Sequence, residues 1–136
     1  MHTITLPAHL TSLVACLAFV ADCAAAVGFP PARIAEIELA VEEAMANICQ
    51  YAYPDSAGAI EIRCRRSETQ EFLIELIDAG APFDILARPA PTLTAEVDQR
   101  QIGGLGIHLI LALMDHVVYQ REGMQNVLQL AVRLPQ

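Results

Sequence analysis

The sequence predicts an α+β fold in which helices cover one face of a mostly antiparallel sheet. Apolar residues recur at helical spacing in the first part of the chain, whereas apolar and polar residues alternate in two later pairs of segments. The resulting order is two helices, a hairpin, a long irregular segment, a helix and a second hairpin, which is typical of a two-layer α/β sandwich. Because the chain has 136 residues, we expect a single domain, 1–136.

Composition restricts the partners and the compartment. Apolar residues make up 54% of the chain, and the formal charge of −8 repels nucleic-acid backbones and anionic membrane surfaces. The apolar stretch from Leu13 to Phe29 is interrupted by Asp22, is too short to cross a bilayer and follows no basic leader, so we expect a cytoplasmic protein. Four cysteines form neither a CxxC pair nor a zinc pattern, and free thiols are expected at Cys16, Cys23, Cys49 and Cys64.

The N-terminal elements are expected to be a short strand and two helices. Thr3 to Leu6 suits an edge strand, and apolar residues then recur at helical spacing from Leu10 to Ala25. Gly28 to Pro31 ends this first helix, because glycine and proline interrupt the pattern. The second helix carries one apolar stripe from Ile34 to Ala52, with charged residues off the stripe.

Alternation replaces helical periodicity after a turn at Pro54 to Gly58. Two strands, Ile60 to Arg65 and Phe72 to Leu76, are expected to form an antiparallel hairpin. From Ala79 to Gly103 there is no sustained periodicity, and irregular segments of this length inside compact domains are usually lids or binding loops.

The C-terminal part returns to regular structure. An apolar helix is expected from Ile107 to Met114, directly after a glycine-rich run. Two closing strands, His116 to Gln120 and Asn126 to Leu134, are joined by a turn around Gly123.

The second helix carries the first candidate site residues. Its periodicity places Glu36, Glu43 and Asn47 together, beside the small Ala40 and away from the apolar stripe. Glu43 and Asn47 are one turn apart, so a carboxylate and an amide oxygen point into the same space, as a hard cation and a neighbouring base require. A solvated acidic face is the competing interpretation for such a pair.

Asp78 ends the hairpin and shares its parity with Phe72, Ile74 and Leu76, so its carboxylate faces the core. Burial of a carboxylate is costly unless it accepts strong hydrogen bonds, which the exocyclic amino group of a base can supply. A turn-capping aspartate before Gly80 is the alternative, and that glycine permits either a tight turn or the close approach of a flat ligand.

Gly103 to Gly106 precedes a helix, so its free N–H groups and the positive helix end can hold phosphate oxygens. A flexible hinge before a hydrophobic helix explains the same glycines without a ligand. His108 has no partner that suits it as a ligand or base, and we assign it to packing or to the surface.

Together these motifs resemble those of the anti-sigma factor serine kinases, a branch of the GHKL superfamily related to the ATPase domains of gyrase, MutL and histidine kinases. The resemblance covers about Ile34 to Leu134 and implies the Bergerat ATP-binding fold. Its parts are an N box at Glu42 to Tyr53, a first glycine box at Asp78 to Asp84, a second glycine box at Gly103 to Ile110, and weaker similarity at Leu113 to Asp115 and Asn126 to Leu128.

The resemblance implies that ATP and Mg²⁺ bind to this domain. Asn47 is then the Mg²⁺ ligand, and Glu43 is the general base that takes a proton from a serine hydroxyl or a water. Asp78 accepts the adenine amino group, and Gly80 lies against the base. Residues 81–102 close as the ATP lid, and the phosphates are held by the backbone of Gly103, Gly104, Leu105 and Gly106.

The sequence departs from the family pattern at three positions that bear on nucleotide affinity. Pro82 stands where the superfamily often has glycine, and Tyr51 stands where a histidine is common. The last strand offers Gln129 where many relatives carry a threonine that helps to hold the base. Arg100 is the cation near the second glycine box that could reach the γ-phosphate.

Three functions remain open at this point. The resemblance implies an anti-sigma regulator with serine/threonine kinase activity, which binds a sigma factor in one state and phosphorylates an anti-anti-sigma protein of the STAS type in another. A nucleotide-gated binding module without phosphotransfer is the alternative, although Glu43 favours the kinase because a switch needs no base. A detached histidine-kinase-like ATPase domain is disfavoured, because the sequence contains no phosphoacceptor hairpin. The family also implies a homodimer through the N-terminal strand and helix.

Overall fold

The computed structural model describes residues 1–53, 58–87 and 104–135, without the side chains of residues 104–106. Three helices lie in these ranges, namely α1 (Leu13–Ala26), α2 (Pro31–Tyr51) and α3 (Gly104–Leu113). The strands are β1 (His2–Pro7), β2 (Ala59–Arg66), β3 (Glu71–Asp78), β4 (His116–Glu122) and β5 (Gln125–Arg133), and single 3-10 turns occupy Leu10–Ser12 and Ile85–Ala87.

The five strands form one sheet in the order β1-β2-β3-β5-β4, and every neighbouring pair is antiparallel. The two hairpins expected from the sequence are present, so the predicted α+β sandwich is confirmed. The last strand of the chain, β5, pairs with both β3 and β4 and therefore lies inside the sheet. This order places Asp78, at the end of β3, directly opposite Asn126 on β5.

Local sequence signals explain where the elements begin and end. Pro31 occupies the first turn of α2, where a missing N–H costs nothing. Gly28 has φ +101° and follows α1, and its N–H donates to the Ala25 carbonyl at 3.0 Å, so the left-handed residue ends that helix. Gly123, at φ +61°, forms the turn between β4 and β5.

The hydrophobic core lies between the helices and one face of the sheet. Ile37, Ile62, Ile74 and Leu130 are among its fully buried side chains. Two polar side chains, those of Asp78 and Asn126, share the core-facing parity of their strands and are buried with them. All four cysteines are free, as expected from their spacing.

Helix α3 begins at Gly104, three residues before the start expected from its apolar run. Its C-terminal end is tied to the start of α2, because Arg33 Nη1 donates to the Leu113 carbonyl at 2.6 Å and Arg33 Nη2 lies 3.5 Å from Asp115 Oδ2. A cation at a helix C-terminus also interacts favourably with the helix dipole. In the part of the chain that the structure describes, no helix is both long and apolar enough to cross a membrane.

The loop after β3 is fixed against the end of α2. The Ala79 N–H donates to Tyr53 Oη at 2.7 Å, and the Ala81 N–H donates to the Ala52 carbonyl at 3.0 Å. Between them, Gly80 lies so close to the helix end that an added Cβ would stand 2.4 Å from the Ala52 carbonyl oxygen. Glycine is therefore required at position 80 by packing of backbone on backbone.

We expect Gly80→Ala to lower the free energy of unfolding by about 1–3 kcal/mol, since an overpacked contact with backbone is relieved only by moving the loop or the helix end. Chemical denaturation measures this difference. Ala79→Ser is the matched control, because it also adds one heavy atom but at an exposed neighbouring position. Equal stabilities of the two variants would contradict the close contact between Gly80 and Ala52.

Candidate functional site

The Asn47 side chain is held with its oxygen unpaired. It is 3% exposed, and its Nδ2 donates to the Glu43 carbonyl one turn earlier at 2.7 Å. This bond fixes the amide orientation, and the buried Oδ1 has no hydrogen-bond partner within the described ranges. An orphaned buried acceptor costs about 1–3 kcal/mol, so its retention points to a ligand that satisfies it. The expectation that Asn47 lies away from the buried stripe is wrong, because the residue borders the core.

Glu43 lies on the same side of α2 and is half-buried. The third residue of the expected group, Glu36, is exposed, and its carboxylate lies 3.2 Å from Arg33 Nη1 in a surface ion pair. Glu43 and Asn47 remain as the acid and the amide on this side of α2, and their hydrogen bond involves the main-chain carbonyl of Glu43, so its carboxylate is not engaged by Asn47.

Asp78 is buried as its parity predicts, with 3% exposure. The Gly80 N–H and Asn126 Nδ2 each donate to its Oδ1 at 2.9 Å, so the turn-capping role and the core-facing role are both present. Among the described residues, no hydrogen bond reaches Oδ2. Burial raises the pKa of the Asp78 carboxyl, while the hydrogen bonds from Asn126 and Gly80 and the charge of Arg121 oppose that rise.

Asn126 is the residue that sequence reasoning did not assign to the site. Its Nδ2 donates to the Ala81 carbonyl at 2.8 Å as well as to Asp78, and its Oδ1 accepts from the Phe83 N–H at 3.2 Å, from Arg121 Nη1 at 3.2 Å and from Tyr119 Oη. The signal was available, because Asn126 shares the parity of the buried Leu128, Leu130 and Val132.

The family resemblance placed Gln129 where many relatives carry a base-holding threonine, but the structure does not place this residue beside Asp78. Gln129 pairs with Glu75 on β3, three residues before Asp78, so it lies on the opposite face of the sheet. Asn126 occupies the position opposite Asp78 instead.

Asp78 borders more than one cavity, and the one that it shares with Asn126 and Phe83 is nearly closed. Its volume of about 10 Å³ is close to the space that one water molecule needs. The ring of Tyr51 stacks on that of Phe83 with centroids 5.0 Å apart and an interplanar angle of 24°. A purine therefore requires outward movement of the segment that carries Phe83 and Ile85. The lining residues are Ile48, Asp78, Phe83, Ile85, Tyr119, Asn126 and Leu128.

The glycine-rich end of the site is described in part. Gly104, Leu105 and Gly106 form the first turn of α3, whose N–H groups have no partner within the helix. Gly103, Arg100 and the part of the expected lid from residue 88 to residue 102 lie outside the described residues. His108 is exposed, which agrees with a surface role.

Comparison with known proteins places this geometry among nucleotide-binding domains. Residues 6–132 match the family model described as histidine kinase-like ATPase domain. This match covers all of the elements that surround Asn47, Asp78 and Asn126, and it confirms the family resemblance that the motifs indicated.

The curated relatives include two kinds of named kinase. The chain is 32% identical over 95 residues to the serine/threonine-protein kinase BtrW of Bordetella bronchiseptica, covering 69% of this chain and 66% of that protein. It is 36% identical over 104 residues to the serine-protein kinase RsbW of Bacillus subtilis, covering 71% of this chain and 63% of the relative. The matched region thus spans just under two thirds of these relatives.

Solved structures with the same fold include two of one histidine kinase. The blue-light activated histidine kinase of Erythrobacter litoralis EL346 has a TM-score of 0.57 at 16% identity, covering 86% of this chain and 41% of that chain. Its separate histidine kinase domain has a TM-score of 0.56 at 18% identity, with 90% and 61% covered. At this identity the likeness establishes the α+β fold alone.

We expect Asp78→Asn to raise the melting temperature of the ligand-free protein at neutral pH. Both hydrogen bonds to Asp78 reach Oδ1, so an amide oxygen can accept them, while the substitution removes a buried charge. Because the folded-state pKa of Asp78 is raised, its favourable contribution is present below the usual carboxyl range and is lost as the pH rises through the raised pKa.

Thermal melts of both proteins from acidic to neutral pH test this prediction. The advantage of Asp78→Asn should grow with pH, whereas the exposed Asp22→Asn should show no such trend. A variant that is less stable than the parent at neutral pH would contradict the assignment of both hydrogen bonds to Oδ1.

Proposed function

Because the chain belongs to the histidine kinase-like ATPase domain family, we propose that it binds Mg²⁺-ATP with Asn47 and Asp78 at opposite ends of the nucleotide. The observation that carries this proposal is the buried Asn47 Oδ1, which has no hydrogen-bond partner among the described residues. Beside it stands the buried side chain of Asp78, whose hydrogen bonds from Gly80 and Asn126 both reach Oδ1 and leave Oδ2 for a ligand. A buried acceptor such as Asn47 Oδ1 is rarely left unpaired, and a nucleotide with its metal supplies a cation for this oxygen and an amino group for the Asp78 carboxylate.

Asp78 receives the exocyclic amino group of adenine in this proposal. Its Oδ1 is engaged by Gly80 and Asn126, so Oδ2 is the acceptor that faces a base. The apolar side chains of Ile48, Ile85 and Leu128 line the same cavity and suit the flat faces of a purine. The base enters when the segment around Phe83 moves away, and Gly80 gives that segment its close fit to α2.

Asn47 suits Mg²⁺ in its chemistry, since an amide oxygen is a hard ligand and its orientation is fixed by the bond to Glu43. In the parts of the chain that are described, no group of three or more His, Cys, Asp or Glu side chains could hold a metal. A single protein oxygen is enough for Mg²⁺ in nucleotide sites, where phosphates and waters complete the shell. When bound, the ion neutralises the charge that develops on the phosphates.

The phosphates are held by the start of α3 and by the lid. Gly104, Leu105 and Gly106 contribute unpaired backbone N–H groups, and the helix dipole favours anions at this end. We further propose that the backbone of Gly103 and the side chain of Arg100 contact the phosphates, and that residues 81–102 close over them as the lid.

The second part of the proposal is protein serine/threonine kinase activity. Two of the named relatives are serine or serine/threonine kinases, and Glu43 is placed one turn before Asn47, where a base is needed to take the proton of a serine hydroxyl. Phosphoryl transfer asks mainly for positioning and charge stabilisation, which the site residues supply. We place the protein in the cytoplasm, with a sigma factor and a STAS-type anti-anti-sigma protein as partners.

A homodimer is part of the same proposal. Strand β1 is an edge strand of the sheet, and neighbouring apolar side chains of the N-terminal region are exposed, with Leu10 at 57% and Val14 at 80%. Apolar side chains exposed beside an unpaired strand edge are suited to association with a second copy.

A nucleotide-gated binding module without phosphotransfer is a second candidate, and one observation favours it. Phe83 and Ile85 line the nearly closed cavity beside Asp78 and belong to the first residues of the expected lid, 81–102. Entry of a nucleotide must therefore displace this segment, which links occupancy of the site to the shape of the surface around it. Detection of phosphotransfer decides between the two candidates.

Millimolar Mg²⁺-ATP is expected to raise the melting temperature, because a ligand that binds only the folded state stabilises it, by about 2.7 kcal/mol at a concentration 100 times Kd. Asn47→Ala should remove most of this rise, whereas Gln50→Ala, exposed on the same helix, should keep it. Differential scanning fluorimetry with ATP, with Mg²⁺ alone and with both gives the comparison. The absence of any rise in the parent protein would refute the nucleotide site.

Glu43→Gln is expected to lower the rate of serine phosphorylation by about 10²- to 10⁴-fold while ATP binding is kept, since the general base is lost and the metal ligand is not. Labelled ATP and candidate STAS-type proteins provide the assay. Glu42→Gln, which changes the adjacent acid on another side of the helix, serves as the control and should retain activity. Binding of ATP and partner without serine label would favour the gated module.

A further inference from the structure

We propose that Asn126 is a positioning residue for base recognition, which holds Asp78 so that a single carboxylate oxygen faces the adenine amino group. This inference rests on the proposed adenine site and adds to it a selectivity mechanism. The supporting observation is the set of hydrogen bonds made by Asn126, which connect β3, β4, β5 and the loop after β3.

The amide of Asn126 has one orientation. Its Nδ2 lies 2.9 Å from Asp78 Oδ1 and 2.8 Å from the Ala81 carbonyl, and both of these atoms are acceptors. Its Oδ1 meets three donors, from Phe83, Tyr119 and Arg121. A flipped amide would set N–H groups against the obligatory donors of Phe83 and Arg121 and an oxygen against the two acceptors. Only the Tyr119 hydroxyl, which can also accept, could keep its hydrogen bond, so four of the five bonds hold the amide in this orientation.

This fixed amide determines which part of Asp78 remains available. Asn126 and Gly80 both donate to Oδ1 and so fix the carboxylate plane, leaving Oδ2 for an incoming donor. A carboxylate held in this way accepts from an amino group and repels a carbonyl oxygen at the same place. Asn126 therefore acts on the base through Asp78, without contact to the base in this role.

Arg121 supports the same arrangement from the edge strand β4. Its Nη1 donates to the Gly80 carbonyl at 2.9 Å and to Asn126 Oδ1 at 3.2 Å. The guanidinium thus holds the loop that carries the second donor to Asp78, and its charge favours the ionised carboxylate. Loss of Arg121 should weaken the arrangement without removing Asn126.

The test compares ATP with purine riboside 5′-triphosphate, which lacks only the 6-amino group. Calorimetric titration gives the ratio of the two affinities for the parent protein and for Asn126→Asp, a variant of the same shape that replaces the donor facing Asp78 with an acceptor. The parent should prefer ATP by about 10- to 100-fold, as expected for a hydrogen bond to a charged group. In Asn126→Asp this preference should fall to within about threefold of unity.

A merely structural role would lower both affinities together and leave their ratio unchanged, so an unchanged ratio in folded Asn126→Asp would overturn the inference. Gln129→Ala is the matched control on the opposite face of the same strand and should retain the parent ratio. If Asn126→Asp does not fold, the same two affinities are measured for Arg121→Met. A preference for ATP at least about threefold lower than that of the parent supports the inference, and an unchanged preference overturns it.

The inference and the proposed function fail in different ways. A parent protein that binds neither triphosphate refutes the nucleotide site and the inference with it. A parent protein that binds both triphosphates equally keeps the nucleotide site and refutes the selectivity mechanism.

Discussion

The burial of one carboxylate, that of Asp78, constrains this whole end of the domain. A buried carboxylate needs strong hydrogen bonds, and here they come from a neighbouring strand and from the following loop. The need for Asn126 at this point requires β5 to lie beside β3, and the need for the Gly80 N–H requires a tight loop. The sheet order and the loop are thus coupled to the Asp78 carboxylate. Its Oδ1 accepts both hydrogen bonds, so Oδ2 is available to a ligand.

The loop connects this group to the helix that bears the second candidate ligand. Gly80 packs on the Ala52 carbonyl, and Tyr53 receives the Ala79 N–H, so the end of β3 and the end of α2 move together. Asn47 lies little more than one turn before this contact. In the proposed function, a change beside Asp78 therefore reaches Asn47 through a short, packed path.

Family membership and one structural feature of the site support the proposed function. Residues 6–132 match the family model, the relatives named as kinases are matched over just under two thirds of their own length, and Asn47 Oδ1 is a buried acceptor without a partner among the described residues. The only hydrogen bond described for the Asn47 side chain is donated by its nitrogen, and its buried oxygen has no partner in the described ranges. An unpaired buried oxygen lowers the stability of the folded state, and a bound cation would compensate for this loss.

The sequence by itself determined the elements and the burial of Asp78, because these follow from periodicity and parity within single segments. It also marked Gly80, either for a tight turn or for the close approach of a flat ligand. Only the tertiary structure decided that β5 lies between β3 and β4, that Asn126 and not Gln129 meets Asp78, and that Phe83 closes the cavity. Strand order and facing residues depend on pairing between segments far apart in the chain, and local periodicity carries no information about which distant partner is chosen.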